Sequence, residues 1–371
     1  MTVPEYSGRA AILDRVKAPL SIEEIAVLPP GPGEVQVRYV ASGVCHSDLH
    51  VITGDMRHDL PVVLGHEGAG VVEAVGPGVT TCAVGDHVLT SYIPSCGTCH
   101  YCSIGRPNLC ALRDRPRHLM LDGTSRIRRR DGSAVNHFLQ VSSFSTRAVL
   151  LQEGVIPIRK DAPLDVICLV SCGVTAGMGA VLNRAKVKPG STVVVFGCGG
   201  VGLNVIQAAE LAGAGRIIAV DRLPYKLGLA EEFGATHQVN ASTEDPVRRV
   251  SEITGGFGAD YAFEAIGAPR VIETMLDCLH RGGEAYVIGV SPHGSKITID
   301  PSLLVQERVL SGSSFGGSRQ RVDLPMIVDL FMGGKVKLRE LVSRRLGLDD
   351  INHAFDLLDR GEVARSVLVY S

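Results

Sequence analysis

The stretch Ser191-Thr192-Val193-Val194-Val195-Phe196-Gly197-Cys198-Gly199-Gly200-Val201-Gly202 is a short apolar run that breaks into a glycine-rich turn and continues as a helical pattern to Ala212. An apolar run of that length bounded by glycine reads as a buried strand, and the turn after it has the spacing G-x-G-x-x-G. Gly197 permits the tight turn, Gly199 lets the backbone approach a pyrophosphate, and Gly202 lets the helix pack close to the strand. With Gly200 and Val201, these residues open a helix whose free N–H groups suit an anion. A second strand ends at Asp221, about 20 residues on, where a carboxylate is expected to hydrogen-bond a ribose 2′-hydroxyl. A carboxylate there repels a 2′-phosphate, which favours NAD over NADP, although Arg222 beside it softens the preference.

Outward from this motif, apolar strands alternate with helical patterns. Expected strands are 192–196, 216–220, 238–240, 261–264, 284–288 and 309–313, which suit a doubly wound parallel sheet. Upstream, to about Arg159, the chain is rich in Val, Gly and Pro. Alternating runs such as Val35-Gln36-Val37-Arg38-Tyr39-Val40 follow the turn-forming Pro29-Pro30-Gly31-Pro32-Gly33 and predict antiparallel β structure. Beyond Gly316-Gly317, helical patterns at 324–332 and 351–358 and a last strand at 366–370 return to that first domain. The fold class is therefore α/β, with a β-rich domain made of residues 1–172 and 315–371 and a dinucleotide-binding domain at 173–314.

The 371 residues carry 37 Lys plus Arg against 39 Asp plus Glu, a net charge of −2, which gives a nucleic-acid-binding role little support. With 45% hydrophobic and 20% charged residues the chain is an ordinary globular protein. It has no apolar run of about 18 residues and no basic-then-apolar N-terminus, so a soluble, cytoplasmic protein without a membrane role is expected.

Ten cysteines are too sparse for a disulfide scaffold in so long a chain, and their spacing points to metal. Cys96-x-x-Cys99-x-x-Cys102 followed by Cys110 presents four thiolates in one short segment, about residues 94–112, which suits a closed tetrahedral zinc site of structural type. An iron–sulfur cluster or a nucleic-acid-gripping module would also use four cysteines, but no fold of either kind surrounds these. A second set is dispersed: Cys45, His66-Glu67 and Cys172. Two thiolates and an imidazole form a recognised catalytic zinc set, yet spacing alone does not join them. Cys82, Cys168, Cys198 and Cys278 read as small core residues.

Taken with Gly43 to Asp48, Gly65 to Gly70, Asp122-Gly123-Thr124-Ser125-Arg126, Ser171 to Ala176 and the ending Gly361 to Tyr370, the chain resembles the zinc-dependent medium-chain alcohol dehydrogenases, in the long form of classes I and III, over essentially its whole length. The resemblance implies a GroES-like catalytic domain around an inserted Rossmann domain, NAD as cofactor, and two zinc ions per chain. It implies that Cys45, His66 and Cys172 hold the catalytic zinc with Glu67 nearby, and that Asp48 holds the ligand histidine. Ser47 then takes the alcohol proton, which leaves through the cofactor ribose and His50. His46 and Arg365 face the cofactor pyrophosphate, Lys226 the adenosine ribose, and Thr175 and Val201 the nicotinamide. Tyr92 narrows the substrate channel and Phe138 lines it further out.

The implied reaction is reversible hydride transfer between a primary alcohol and NAD, giving the aldehyde. Ser47, smaller than threonine, leaves room for medium or bulky alcohols, aromatic and allylic ones included. The alternatives are a thiol-adduct formaldehyde dehydrogenase, a nicotinoprotein that keeps its cofactor bound, and a non-catalytic binder of zinc and NAD(H). The long interval between Cys110 and Cys172 resembles that of dimeric relatives, so a homodimer is expected. Within it, Arg113, Arg115, Arg117, Arg126, Arg128, Arg129 and Arg130 face only Asp114 and Asp122 locally. Such a run reads as a solvated face, or as a basic loop that steers an anionic substrate.

Overall fold

The computed structural model describes residues 6–370. They form two compact units, one running through Cys172 and resuming at Arg319, the other spanning Gly173–Ser318. The return had been expected at residue 315. The second unit extends to Ser318 because the turn Phe315–Gly317 packs on the helix Gly173–Gly179, with the Gly316 backbone against Gly179.

In the second unit six parallel strands lie in the order His237–Asn240, Arg216–Asp221, Thr192–Phe196, Ala259–Glu264, Leu279–Val287, Val309–Gly312. The sheet starts from its third strand in both directions, so the strand order reverses at Thr192–Phe196, where an open α/β sheet binds ligands. All five residues of that strand are buried, which explains its unbroken apolar run. Gly197 takes a φ of 90°, and a side chain on Gly202 would overlap the Gly197 carbonyl, so the turn depends on glycine at both positions. The helix Gly200–Leu211 follows at once.

In the first unit, strands Tyr6–Leu13, Ser21–Val27, Ile127–Arg129, Ala134–His137 and Val62–Val63 close a barrel. Beside it a second sheet runs Val155–Pro157, His87–Thr90, Glu67–Val75, Glu34–Gly43, Arg365–Val369, Val342–Leu346, with Arg147–Leu151 also pairing with Glu34–Gly43. The long strand Glu34–Gly43 is buried on both faces over most of its length, as its central place requires. Val35, Val37 and Tyr39 share one apolar cluster with Val72, Val88 and Leu150.

The register of this sheet places the candidate site. Gly43 pairs with Glu67 on one side and with Val367 on the other. Cys45 therefore leaves the end of one strand beside the point where His66 enters the next, and Arg365 starts a third strand close by. Among the described residues no single helix is long and apolar enough to cross a membrane.

Candidate active site and metal centres

Cys45, His66, Glu67 and Cys172 come together in the first unit, all buried, with their potential ligand atoms within 4.8 Å of one another. Cys45 caps the helix His46–Thr53, His66 precedes the strand Glu67–Val75, and Cys172 ends the turn Cys168–Ser171. Ser171 Oγ donates to the Gly68 carbonyl at 3.0 Å, which fixes that turn against the strand carrying Glu67.

Asp48, on the first turn of the helix, is wholly buried, and its Oδ1 lies 3.0 Å from both His66 Nδ1 and the Gly65 N–H that donates to it. This contact occupies Nδ1 and leaves Nε2 for the sulfur side, the arrangement by which a carboxylate orients a metal-ligating imidazole. Burial opposes charge on His66, but Asp48 outweighs it and holds the imidazole well above its ordinary pKa. The hydrogen bond between the two thiols holds the Cys45 thiol well below its ordinary pKa and the Cys172 thiol well above it. Burial pushes the Glu67 carboxyl up to about 7, against the pull of Arg365.

Arg365 is 6% exposed and its Nη2 donates to Glu67 Oε2. Glu67 Oε1 and Asp48 Oδ2 are buried without a hydrogen-bond partner. Two thiols, an imidazole and an orphaned carboxylate oxygen converging in a buried space fit a zinc ion well. Three cluster residues can serve as ligands, leaving a fourth position for an oxygen substrate, while Arg365 holds Glu67 to one side.

Cys96, Cys99, Cys102 and Cys110 form the other cluster. The Cys96 and Cys102 sulfurs are 3.9 Å apart, as are those of Cys99 and Cys110. Backbone N–H groups of Cys99, Cys96 and Ala111 donate to the sulfurs of Cys96, Cys110 and Cys99 at 3.4, 3.5 and 3.5 Å. Burial opposes ionisation of Cys96, yet such donors bring its thiol down to about 6. N–H groups aimed at sulfur stabilise thiolate, the form that binds zinc, and four sulfurs leave no position for substrate.

Around the catalytic cluster, Ser47 Oγ lies 3.9 Å from Cys45 Sγ. His50 is half-buried, with its Nδ1 3.5 Å from Asp55 Oδ2, and His46 is exposed at the helix start. Tyr92 and Phe138 both turn their rings to His66, at centroid distances of 5.4 and 5.8 Å and near right angles. Phe138 is fully buried.

In the second unit, Asp221 Oδ2 accepts from the Cys198 N–H at 2.8 Å, and Oδ1 accepts from the Arg222 and Leu223 N–H groups. The acid therefore also pins the glycine-rich turn to the strand beside it. Thr175 is buried, Val201 and Lys226 are half-buried, and Arg222 is exposed. The place a side chain would take at Gly199 is open, a cradle suited to a phosphate against the N-terminus of the helix Gly200–Leu211.

The basic loop divides. Arg126 pairs with Glu34 and Asp122, Arg129 with Asp14 and Glu23, and Arg130 with Glu24. Their counter-charges come mainly from remote strands, which the local sequence did not reveal. Arg117 instead donates from Nη1 to the Tyr92 carbonyl at 2.7 Å. Cys82 is half-buried rather than a core residue, whereas Cys168, Cys198 and Cys278 are buried.

Residues 31–160 match the alcohol dehydrogenase GroES-like domain, and residues 200–331 match the zinc-binding dehydrogenase model. The chain belongs to the zinc-dependent medium-chain alcohol dehydrogenase family. It is 45% identical to the S-(hydroxymethyl)glutathione dehydrogenase of Paracoccus denitrificans over 98% of this chain and 99% of that one. Among solved structures, an alcohol dehydrogenase zinc-binding domain protein from Burkholderia ambifaria is 38% identical with a TM-score of 0.95, over 99% of this chain and 100% of that one. The benzyl alcohol dehydrogenase of Acinetobacter calcoaceticus is 34% identical with a TM-score of 0.93 over the same shares. As a member of this family the protein is a zinc-dependent oxidoreductase acting on CH–OH groups.

Proposed function

We propose that the chain oxidises the S-(hydroxymethyl) adduct of formaldehyde with a low-molecular-weight thiol, using NAD and two zinc ions. The observation that carries this reading is the buried meeting of Cys45, His66 and Cys172 with Glu67, in a chain 45% identical to an enzyme named for such a substrate. Zinc held by Cys45, His66 and Cys172 would supply a Lewis acid for the alcohol oxygen, and bound nicotinamide would be the hydride acceptor. Asp48 keeps His66 in its ligating tautomer. Ser47 takes the hydroxyl proton, and His50, at the half-buried side of the same helix, releases it to solvent. The hydroxymethyl carbon loses one hydride and its oxygen one proton, leaving an S-formyl thiol. Arg113 and Arg117, close to Tyr92, give the pocket the positive charge that a carboxylate-bearing thiol requires.

His46 and Arg365 are proposed to face the cofactor pyrophosphate, Asp221, Arg222 and Lys226 the adenosine ribose, and Thr175 and Val201 the nicotinamide. The unit ending at Cys172 and resuming at Arg319 is the catalytic domain in this proposal, and Gly173–Ser318 the cofactor domain. A cytoplasmic homodimer is proposed; its dimer part is supported by the outer strand Val309–Gly312 with its exposed Val309, and by the exposed Leu304 and Val305 on the short helix Pro301–Val305 before it.

The second reading, a dehydrogenase of bulky primary and aromatic alcohols, is favoured by the aromatic walls Tyr92 and Phe138 and by the small Ser47. Desalted, metal-analysed protein would be assayed for reduced nicotinamide with NAD or NADP against primary, secondary and aromatic alcohols and against formaldehyde with glutathione or other thiols. Chelator-sensitive turnover that is fastest with NAD and a thiol adduct is expected. Fastest turnover with an aromatic alcohol and none with adducts would establish the second reading. Turnover only after an aldehyde acceptor is supplied would reveal a permanently held cofactor. An inert protein with full zinc would overturn both.

A further inference from the structure

An open α/β sheet binds its ligand where the strand order reverses, and a buried acid with no part in metal binding or proton transfer stands there. Glu264 ends the strand Ala259–Glu264 and pairs across the sheet with Phe196, the last residue before the glycine-rich turn. Its side chain is wholly buried. Oε1 accepts from three consecutive backbone N–H groups, those of Ile266, Gly267 and Ala268, at 2.8, 2.6 and 3.2 Å, while Oε2 is buried without a hydrogen-bond partner. A run of N–H groups of this kind makes a concavity for an anion, and here the chain fills it with its own carboxylate. Burial pushes the Glu264 pKa up, and the N–H groups oppose that rise.

The turn gathered in this way lies against the cofactor motif. The Ala265 N–H donates to the Phe196 carbonyl at 2.9 Å, and the Ile266 side chain takes the space that a side chain on Gly197 would need. Gly267, at a φ of 87°, and Gly289 have no room for side chains, because the Val290 carbonyl and the Gly267 N–H fill their places. With its N–H turned inward to Glu264, Ile266 presents its side chain outward, 54% exposed, at the Gly197 end of the turn whose Gly199 is open. We infer that Glu264 is a positioning residue for the dinucleotide: it fixes residues 265–268 so that Ile266 stands as an apolar wall against the bound cofactor. The inference rests on the NAD-dependent reading. All the bonds that shape the turn are internal to the chain, so it keeps its form without the dinucleotide. A carboxylate with one orphaned oxygen is costly to bury, which marks a position kept for what it organises.

The test titrates zinc-loaded protein with NADH and follows binding by fluorescence. Glu264→Ala leaves three N–H groups without their acceptor and should raise the Kd roughly ten-fold, the scale of lost hydrogen bonds to a charged group. Glu264→Gln, whose amide oxygen can take the place of Oε1, should stay within about three-fold of the unaltered protein. Ile266→Ala should also weaken NADH binding, but in the Glu264→Ala background it should add little, because the wall is already displaced. Hydrogen exchange on the unaltered protein needs no variant: the amides of residues 266–268 should exchange slowly both with and without NADH. An unchanged Kd in Glu264→Ala, a Kd in Glu264→Gln raised as far as in Glu264→Ala, fully additive effects of the two alanine substitutions, or amides protected only once NADH binds would each overturn the inference. Failure of the unaltered, zinc-loaded protein to bind NADH or NADPH would instead overturn the dinucleotide reading, and the role of Glu264 with it.

Discussion

Gly43 shows how one missing side chain organises the site. It lies between Glu67 and Val367 in the sheet, and a Cβ there would fall well inside contact distance of Glu67 Oε2 and also press on Leu169. The Glu67 carboxylate therefore passes over Gly43 to reach Arg365, keeping the carboxylate beside the metal ligands. In Gly43→Ala, overpacking should cost about 1–3 kcal/mol in denaturant unfolding and push Glu67 off Arg365. Catalytic zinc should then dissociate faster, while the four-cysteine cluster keeps its metal; competition with a chromophoric chelator separates the two. Unchanged stability and zinc release would show that the crowding is relieved at no cost.

At the level of elements, legibility follows how local each interaction is. The segment Cys96–Cys110 was readable because its four ligands lie within a few turns of chain, and the Gly197–Gly202 turn because its φ requirement and helix start are local. Cys45, His66 and Cys172 could not be joined from spacing, since their meeting depends on the Gly43–Glu67 register and on Ser171 reaching Gly68. The Glu67–Arg365 pair was hidden for the same reason, and Arg365 had suggested only a cofactor contact. Counter-charges of the basic loop come from Asp14, Glu23, Glu24 and Glu34, on or beside strands far away in sequence. The cysteine segment carries its own prediction. Cys96→Ser should lower zinc from about two ions per chain to about one and lower the Tm, because a structural site contributes folding free energy directly. Metal analysis with calorimetry checks it, and an unchanged Tm would argue that the segment folds without its ion.

For the molecule as a whole, acid stability should carry the mark of His137. The side chain is fully buried on the barrel strand Ala134–His137, its Nε2 accepting from the Arg126 N–H at 3.1 Å. Burial, aided by Arg126 and Arg128, holds its pKa at about 3. The unfolded chain takes up this proton near pH 6.5 and the folded chain only near 3, so stability falls as pH drops through that window, by at most about 1.4 kcal/mol per pH unit. Asp122, held near 2 by Arg126, extends the loss below its ordinary carboxylate range. In His137→Gln the Tm should fall less steeply between pH 6 and pH 4; parallel curves would mean that His137 titrates alike in both states. The two-part organisation itself was legible from the change of texture near Gly173, because strand alternation and βαβ succession are long patterns. The order of synthesis adds a consequence. Arg365–Val369 lies in the sheet between Glu34–Gly43 and Val342–Leu346, yet it is made more than 300 residues after the strand it joins. Domains tend to fold as units while they leave the ribosome. The stretch Gly173–Ser318 can thus close on itself early, whereas the sheet that carries the catalytic cysteines waits with an open edge for its last strand. During translation that edge is where a chaperone would be needed, and zinc delivered before release would find Glu67 without its arginine.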